Sequence, residues 1–281
     1  MTFDARDKVV LITGGAGGIG SALAESLAAD GARIVVADVN REGADAVAAA
    51  LPGGDHAAYG LDLTDRGQVE ALIAFIGERY GRIDVLVNNA GMTSADRFDV
   101  RSVESIEREL AVNLLAPLIL TRLAIPLLRN AADPRICTTV SLGGIFPLGE
   151  TPIYTASKFG LRGAMLAIGM DLSTKGIAVG SVLPSATDTP MLRQEALDGG
   201  NSLQFLDPPQ TPADVVKAFR KLLDRPRYEV YPKPSESWLV RIVMLVPSLI
   251  PRMLPLFRGR GDRGMEKYLA DLERRGLITR P

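Results

Sequence analysis

Residues 8–40, KVVLITGGAGGIGSALAESLAADGARIVVADVN, decide the fold of this chain. They begin with a β-branched apolar run and continue with a cluster of glycines, a helix-type apolar pattern and a second apolar run, 34–37. Strand, glycine turn, helix and strand in this order predict the first unit of a parallel sheet. A glycine cluster alone would equally fit a flexible loop, but the flanking pattern favours the turn.

The glycine turn is a predicted dinucleotide site. Glycines let the backbone approach a pyrophosphate, and free N–H groups at a helix N-terminus stabilise its charge. Asp38 follows the second apolar run, where an acidic side chain binds the adenine ribose hydroxyls and repels a 2′-phosphate. Because the neutral Gly17 and Val39 offer no cation to that phosphate, we predict NAD in preference to NADP. The predicted cofactor contacts in this unit are Gly14, Gly17, Gly18, Ile19, Gly20 and Asp38.

The rest of the chain alternates strand and helix patterns as far as residue 232, with helices predicted at 41–50, 66–80 and 102–130. Pro117 should bend the last of these, because it lacks a backbone N–H. This alternation predicts the α/β class, with a doubly wound parallel sheet of the Rossmann type. We expect one domain, 1–232, that binds the dinucleotide and carries catalysis, followed by an apolar and amphipathic helical extension, 233–281. With 281 residues and 47% hydrophobic content, the chain can bury a full core.

Composition excludes several other classes of function. The formal charge of −1 gives no electrostatic footprint for nucleic acid. The single cysteine, Cys137, allows no internal disulfide and is expected to be a buried small hydrophobe. The only histidine, His56, has no ligand cluster around it, so no metal site is predicted. No apolar segment precedes the first strand, and the expected location is the cytoplasm, with membrane association left open by the extension.

A second stretch, SLGGIFPLGETPIYTASK at 141–158, carries the predicted chemistry. Tyr154 and Lys158 stand four residues apart, so a helix would present both side chains on one face. One nearby ammonium lowers an acid's pKa by roughly 1 to 3 units, which would move the Tyr154 hydroxyl toward general acid/base work. Ser141 is a neutral donor that could hold the substrate oxygen. Taken alone, the Tyr–Lys spacing also fits surface packing.

Together these motifs resemble the short-chain dehydrogenase/reductase family over roughly residues 5–232. The motifs that carry the resemblance are Thr13-Gly14-x-x-x-Gly18-Ile19-Gly20, Asn88-Asn89-Ala90-Gly91, Asn113, Ser141 and Tyr154-x-x-x-Lys158. The resemblance implies a catalytic tetrad. Tyr154 would be the general acid/base, Lys158 would lower its pKa and bind the nicotinamide ribose, Ser141 would position the reacting oxygen, and Asn113 would hold a water that links Lys158 to solvent.

Further cofactor contacts follow from the resemblance and from strand ends. Asn89, Ala90 and Gly91 close the fourth predicted strand, where ligands bind in such sheets, and Asn88 would tie neighbouring strands together. Asp62 would contact the adenine amino group, or else cap the next helix near Thr64 and Asp65. Asn113 has a purely structural, helix-distorting role as its alternative. Thr187 and Thr189 are predicted contacts of the carboxamide.

The substrate pocket is predicted beside the tetrad. The mostly apolar loop 143–148 would line it, and the proposed contacts are Ser141, Gly143, Phe146, Tyr154 and Ser185. Ser185 stands where the family usually has the glycine of a Pro-Gly pair, and a positive φ there would strain a serine. Residues 190–210 are rich in Gly, Asp, Asn and Pro, which predicts a mobile lid.

The extension is the part that the resemblance does not explain. Its apolar run, 238–257, is long enough to span a bilayer, but its arginines and prolines argue against a span. The alternatives are contact with a membrane surface, or short helices packed over the active-site mouth or on a neighbouring subunit. Residues 262–275 predict a charged amphipathic helix that ends at Gly276.

These features predict an NAD-dependent oxidoreductase that interconverts a small lipophilic secondary alcohol and its ketone. A carbonyl reductase working in the opposite direction is the nearest alternative. A dinucleotide-sensing or scaffold protein without turnover is the alternative from another class, and the complete tetrad argues against it. The resemblance implies a homodimer or homotetramer built on the helices at 102–130 and 152–175.

Overall fold

A seven-stranded parallel sheet forms the centre of the protein in the computed structural model, which describes residues 2–94 and 96–279. The strands are β1 (Val9–Thr13), β2 (Arg33–Asp38), β3 (Ala57–Gly60), β4 (Val85–Asn88), β5 (Arg135–Thr139), β6 (Ala178–Val182) and β7 (Glu229–Val230). Their order in the sheet is β3-β2-β1-β4-β5-β6-β7. The predicted doubly wound α/β fold is therefore confirmed.

Ten α-helices surround the sheet in the described part of the chain. They are α1 (Gly18–Ala28), α2 (Arg41–Ala50), α3 (Arg66–Tyr80), α4 (Val103–Leu110), α5 (Ala116–Leu128), α6 (Pro152–Ser173), α7 (Pro190–Leu197), α8 (Pro212–Asp224), α9 (Pro234–Val243) and α10 (Ile250–Arg274). The helices predicted at 41–50 and 66–80 have these bounds, and Thr211 caps α8 through a capping box with Asp214.

The two faces of the sheet bury separate cores because successive side chains of a strand point to opposite sides. Val10 and Ile12 of β1 pack with Leu23 of α1 and Phe219 of α8. Val9 and Leu11 pack instead with side chains of α3, α5 and α6. Cys137 is buried in the first of these cores, as predicted, and burial raises its pKa to about 12.

The order of the strands places a crevice at the carboxyl ends of β1 and β4. The chain moves outward from β1 to β3 and then returns to β4, which pairs with β1 on its other side. Ligands of open α/β sheets bind at such a switch point. The glycine turn after β1 and the Asn89 to Gly91 segment after β4 therefore meet at one site.

The helical stretch predicted at 102–130, with a bend at Pro117, is divided by a π-helical turn, Ala111–Leu115. Pro117 has no N–H and cannot donate to the carbonyl of Asn113, as an α-helix requires. In the π turn the N–H of Ala116 donates to the carbonyl of Ala111. Asn113 lies inside this turn, and π turns of this kind are frequent at functional sites.

The same stretch is apolar enough to be tested as a membrane span. The best 18-residue window within Val103–Leu128 has a mean hydropathy of 1.8, which satisfies the length and composition of a span. A core helix of a soluble protein satisfies the same criteria, so this likeness is weak evidence for a membrane. Leu120, Ala124 and Leu128 of α5 are fully buried against the sheet.

The C-terminal part contains more structure than predicted. The segment 190–210, expected to be a mobile lid, contains α7 and a 3-10 helix, Ser202–Phe205. Both pack on α10 in a small core of Leu192, Phe205, Tyr268 and Leu272. These partners lie more than sixty residues further along the chain, where a local pattern cannot show them.

The extension folds into two helices with a break between them. The apolar run 238–257 is divided into α9, a 3-10 helix at Pro247–Leu249 and the first turns of α10, so the single-span alternative is wrong. α10 begins at Ile250 rather than near residue 262 and continues through Pro255. It ends as predicted at Gly276, whose φ is +67°.

Candidate active site

The glycine turn is shaped by close backbone approach. Gly14 has a φ of +62°, and a Cβ added to Gly20 would overlap the carbonyl oxygen of Gly14. Gly18 begins α1, so free N–H groups of the first helical turn face the crevice. This cradle suits a pyrophosphate, because a backbone without side chains can surround an anion.

Thr13 and Asn89 fix the turn to the neighbouring strands. The amide nitrogen of Asn89 donates to the carbonyls of Thr13 and Gly14, at 3.1 and 3.2 Å. Its amide oxygen accepts from Thr139 at 2.9 Å, and Thr13 Oγ1 accepts the backbone N–H groups of Asn89 and Ala90. Asn89 therefore holds β1, β4 and β5 in register. Asn88 donates to Thr121 of α5, so the prediction that it ties strands together is wrong.

A cavity of about 500 Å³, which we call the dinucleotide cavity after its predicted ligand, runs from this turn to the predicted tetrad. The predicted cofactor residues that line it are Gly14, Gly17, Gly18, Ile19, Asp38, Asp62, Asn89, Ala90, Gly91, Tyr154, Lys158, Thr187 and Thr189. Gly20 lies behind this wall. The fold thus brings residues from most of the chain's length to one cavity.

Two carboxylates mark the end of the cavity away from the tetrad. Asp38 accepts the N–H groups of Ala16 at 2.9 Å and Asn40 at 3.0 Å, which orients it beside the glycine turn. Asp62 accepts from the N–H and hydroxyl of Thr64, and these bonds lower its pKa. The N-cap of α3 is Asp65. The capping alternative for Asp62 is therefore wrong, and its adenine contact stays a prediction.

Tyr154, Lys158 and Ser141 lie together at the other end. Tyr154 and Lys158 are one turn apart on α6, and Ser141 follows β5 and lies beside the tyrosine side chain, whose pKa its hydroxyl acts to lower. Lys158 Nζ donates to the carbonyl of Thr139 at 3.2 Å and lies 5.6 Å from the centroid of the Tyr154 ring. A Cβ on Gly143 would lie 3.1 Å from Cε1 of this ring, so Gly143 gives the phenol its space.

Burial governs the proton affinities of this pair. It raises the pKa of Tyr154 to about 12, against the smaller lowering effect of the Ser141 hydrogen bond. It also lowers the pKa of Lys158 to about 8. The expectation that the lysine makes this phenol acidic is therefore not met by the protein alone, because the loss of hydration outweighs the effect of the Ser141 hydrogen bond.

Asn113 binds the loop after β4. Its amide oxygen accepts the N–H of Met92, and its nitrogen donates to the carbonyl of Met92, both at 2.8 Å. The nitrogen also donates to Ser157 of α6 at 3.2 Å. These bonds give Asn113 its structural role, while the water-holding role stays a prediction.

A buried ion pair lies one helical turn before Asn113. Arg101 Nη2 and Glu109 Oε2 are 2.5 Å apart, and both side chains are fully buried. Burial raises the pKa of Glu109 against the opposing effect of Arg101. The charge of Glu109 in turn acts to raise the pKa of Tyr154, and for Lys158 it opposes the larger lowering by burial.

The loop after β6 closes the cavity. Thr187 donates to the carbonyl of Ser185, and Thr189 caps α7. Among the described residues only Asp7 and Asp55 are non-glycine residues with positive φ, so Ser185 carries no such strain. Between the threonines, Asp188 accepts from Arg193 at 2.9 Å and Tyr268 of α10 at 2.8 Å. The C-terminal helix is therefore bonded directly to the predicted nicotinamide loop.

The sequence matches the family described as "short chain dehydrogenase" over residues 8–198. This chain belongs to that family. D-threitol dehydrogenase of Mycolicibacterium smegmatis is 34% identical over 212 residues, which are 73% of this chain and 81% of that protein. Levodione reductase of Leifsonia aquatica is 31% identical over 232 residues, which are 81% and 84% of the two chains.

Solved structures show the same architecture. The 3-ketoacyl-(acyl-carrier-protein) reductase of Brucella melitensis, solved with NADH, has 26% identity and a TM-score of 0.72 to this chain, covering 82% of this chain and 99% of that one. As a short-chain dehydrogenase, the protein is an oxidoreductase of alcohol and carbonyl groups that binds a nicotinamide dinucleotide.

A second cavity of this short-chain dehydrogenase adjoins the first. This apolar chamber has a volume of about 230 Å³ and shares Ser141, Leu148, Ser185, Ala186 and Gln204 with the dinucleotide cavity. Gly143 and Phe146, which belong to the predicted substrate loop, line this chamber. Its outer wall consists of Val240 and Val243 of α9 and Ile250, Met253, Leu254 and Phe257 of α10. The extension therefore covers one side of the active site.

Three residues of the candidate site were not predicted from the sequence. Thr139 binds both Lys158 and Asn89, and its place two residues before Ser141 is the only local signal for it. Glu195 and Gln204 line the dinucleotide cavity and bond each other at 2.5 Å. Burial raises the pKa of Glu195. Both residues lie in the segment expected to be irregular, so no pattern placed them at the site.

Proposed function

We propose that this protein interconverts a lipophilic secondary alcohol and its ketone, with NAD as the preferred cofactor. The observation that carries the proposal is the apolar chamber, which opens beside Ser141 at the edge of the dinucleotide cavity. A substrate that fills the chamber with an apolar body can place its oxygen beside Ser141 and Tyr154. The chamber's lining offers such a body mostly aliphatic and aromatic contact.

The residues present fit a dinucleotide. The turn at Gly14 and Gly20 leaves backbone rather than side chains around the pyrophosphate position. Asp38, beside that turn, supports NAD, because its carboxylate would repel the 2′-phosphate of NADP. Arg41, two residues past Val39, is paired with Asp45 at 2.8 Å. Bound in its oxidised form, the cofactor would accept hydride and add a positive charge that favours the phenolate.

The protein's own side chains then transfer one proton. In the oxidative direction, Ser141 Oγ and Tyr154 Oη hold the substrate hydroxyl, and Tyr154 Oη as phenolate accepts its proton. Lys158, buried and held by the Thr139 carbonyl, places its ammonium near the phenol and the nicotinamide ribose position. Leu148 and Phe146 exclude water from the side of the chamber. In the reductive direction the same hydroxyl returns the proton.

Replacing Tyr154 tests the mechanism. Tyr154→Phe keeps the ring but removes the hydroxyl that carries the proton, so kcat should fall by about a thousandfold. The affinity for the cofactor, measured by calorimetry with NAD or by fluorescence with NADH, should stay within a factor of three. Tyr80→Phe is the matched control, since that hydroxyl donates to the carbonyl of Asp55 outside the cavity. Turnover that survives Tyr154→Phe would refute the role of Tyr154, and dinucleotide binding without turnover in the unaltered protein would favour the sensor alternative.

A substrate panel tests the chamber. Alcohols and ketones of one ring or chain series, with increasing apolar area, should show kcat/KM rising with area until the chamber is full. NAD and NADP are compared in the same assay by absorbance of the reduced nicotinamide. Faster turnover of small polar alcohols would contradict the lipophilic substrate, and a preference for ketone reduction at equal cofactor concentrations would support the reductive alternative.

A further inference from the structure

The extension has a second apolar side that faces water. We define the outer face as the exposed side chains Trp238, Ile242, Leu245, Val246, Leu249 and Leu256. Their exposed fractions range from 41% for Leu249 to 79% for Leu245. Trp238 and Ile242 stand one turn apart on α9, and the next three side chains follow in the connection to α10. Five of the six side chains therefore follow one another between residues 238 and 249, and Leu256 stands two turns further along α10.

The outer face is not needed by the fold. The chamber already uses the opposite side of the same helices, through Val240, Val243, Met253 and Leu254. A helix that is apolar on all sides normally lies in a core or a membrane, whereas these helices turn one apolar side toward solvent. Soluble monomers seldom expose a contiguous apolar patch of this kind unless it binds something.

Charge indicates the partner. Residues 238–261 contain four arginines and no acidic residue, while the whole chain has a formal charge of −1, so the remainder carries −5. Arg252 is exposed and stands one turn from both Leu249 and Leu256. Arg258 and Arg260 are also exposed, at 70% and 64%, although they contact Glu150 and Asp207 at 3.3 Å. Apolar side chains beside arginines match the interface of an anionic bilayer.

We propose that the outer face binds the surface of anionic membranes. The apolar side chains would enter the boundary between headgroups and acyl chains, and the arginines would remain at the headgroups. The helices would lie on the membrane rather than cross it, since α9 has only ten residues and a break follows it. The chamber would then lie just behind the membrane-facing helices. This docking does not depend on the proposed reaction.

The protein's only tryptophan reports directly on this surface. Emission of Trp238 is recorded for the full chain while phosphatidylcholine vesicles, with or without one quarter phosphatidylglycerol, are added. We expect a shift of the emission maximum to shorter wavelength and co-sedimentation with the anionic vesicles. With the neutral vesicles we expect at least tenfold weaker binding, because their surface has no negative potential that attracts the arginines.

Variants locate the contact. The triple substitution Ile242→Ser, Leu245→Ser and Leu256→Ser removes outer-face side chains that do not line the chamber, and vesicle binding should fall at least tenfold. Val100→Ser with Val103→Ser is the control, because these side chains are 75% and 63% exposed and lie at the start of α4, outside the extension. Circular dichroism and turnover of a water-soluble alcohol confirm that each variant is folded.

Three results would overturn the proposal. The first is an unchanged Trp238 emission with both vesicle types. The second is equal binding to neutral and anionic vesicles, which would leave the arginines without a role. The third is a shift that grows with protein concentration in the absence of vesicles, together with a larger mass in size-exclusion chromatography. That result would assign the outer face to a second copy of this chain.

Discussion

The glycine turn and the C-terminal extension meet the active site from opposite sides, and both depend on backbone packed too closely for a side chain. In the turn, a Cβ on Gly20 would overlap the carbonyl oxygen of Gly14, six residues earlier. In the extension, a Cβ on Gly264 would overlap the carbonyl oxygen of Phe205, 59 residues earlier. The packing constraint is the same, but only the first is visible in a short stretch of sequence. Local contacts leave motifs, whereas distant contacts do not.

The largest expected effect comes from Gly20→Ala. The added methyl group would push the turn away from Gly14, costing about 3 kcal/mol of unfolding free energy and at least a hundredfold in NAD affinity. Chemical denaturation and calorimetric titration measure the two changes. Gly77→Ala in α3 is the control, because its new Cβ would lie 3.6 Å from Leu127, an ordinary contact. Unaltered NAD affinity in Gly20→Ala would mean that the turn does not hold the pyrophosphate.

Gly264→Ala applies the same change to the other region. It should loosen α10 from the 3-10 helix at Ser202–Phe205, at a cost of about 1 to 3 kcal/mol, and open the chamber. We expect KM for a hydrophobic alcohol to rise about tenfold while NAD affinity changes less than threefold.

Gly259→Ala is the matched control in the same helix, since only Arg263 would approach its Cβ, at 3.8 Å. Limited proteolysis shows whether α10 has detached. Equal losses of NAD affinity and substrate affinity in Gly264→Ala would contradict the separate roles of the two regions, cofactor binding for the glycine turn and substrate binding for the extension.

Tyr268→Phe tests the link between them. Tyr268 donates to Asp188 at 2.8 Å, and although burial acts to raise the pKa of Asp188, the hydrogen bonds from Arg193 and Tyr268 lower it. Loss of one bond to a carboxylate costs about 1.5 kcal/mol. We expect Tm to fall by a few degrees and KM for the cofactor to rise severalfold, measured by thermal unfolding and steady-state kinetics. A change in substrate KM alone would show that the link does not reach the cofactor loop.

Glu195→Gln should give the smallest effect, seen in the pH profile. The charge of Glu195 raises the pKa of Tyr154, so a neutral amide should lower that pKa. The midpoint of the rising limb of kcat/KM for oxidation should then move to lower pH by less than about one unit. Glu150→Gln, on the exposed ion pair with Arg258, should leave the limb in place. A shift to higher pH would contradict the sign of this interaction.

The sequence predicted the sheet, the helices at 41–50 and 66–80 and most of the motif residues that line the dinucleotide cavity. Each of these leaves a recognisable pattern within a short stretch of sequence. The sequence did not predict the electrostatics of Tyr154, because the degree of burial depends on the whole fold, and burial raises the pKa of this phenol. It missed Glu195 and Gln204 for the same reason as α7, whose packing partners Tyr268 and Leu272 lie far along the chain. Asp62 is an intermediate case, since the sequence left open an adenine contact and the cap of α3, and the structure shows that Asp65 is the cap.

The junction of the two cavities at Ser141 bears on stereochemistry. In the proposed reaction, the apolar arm of the substrate lies on the side of the chamber and the reacting oxygen lies between Ser141 and Tyr154. A prochiral ketone with one large and one small substituent would therefore present a single face to the hydride. Its alcohol should form as one enantiomer, and the excess should grow with the difference in size between the two substituents.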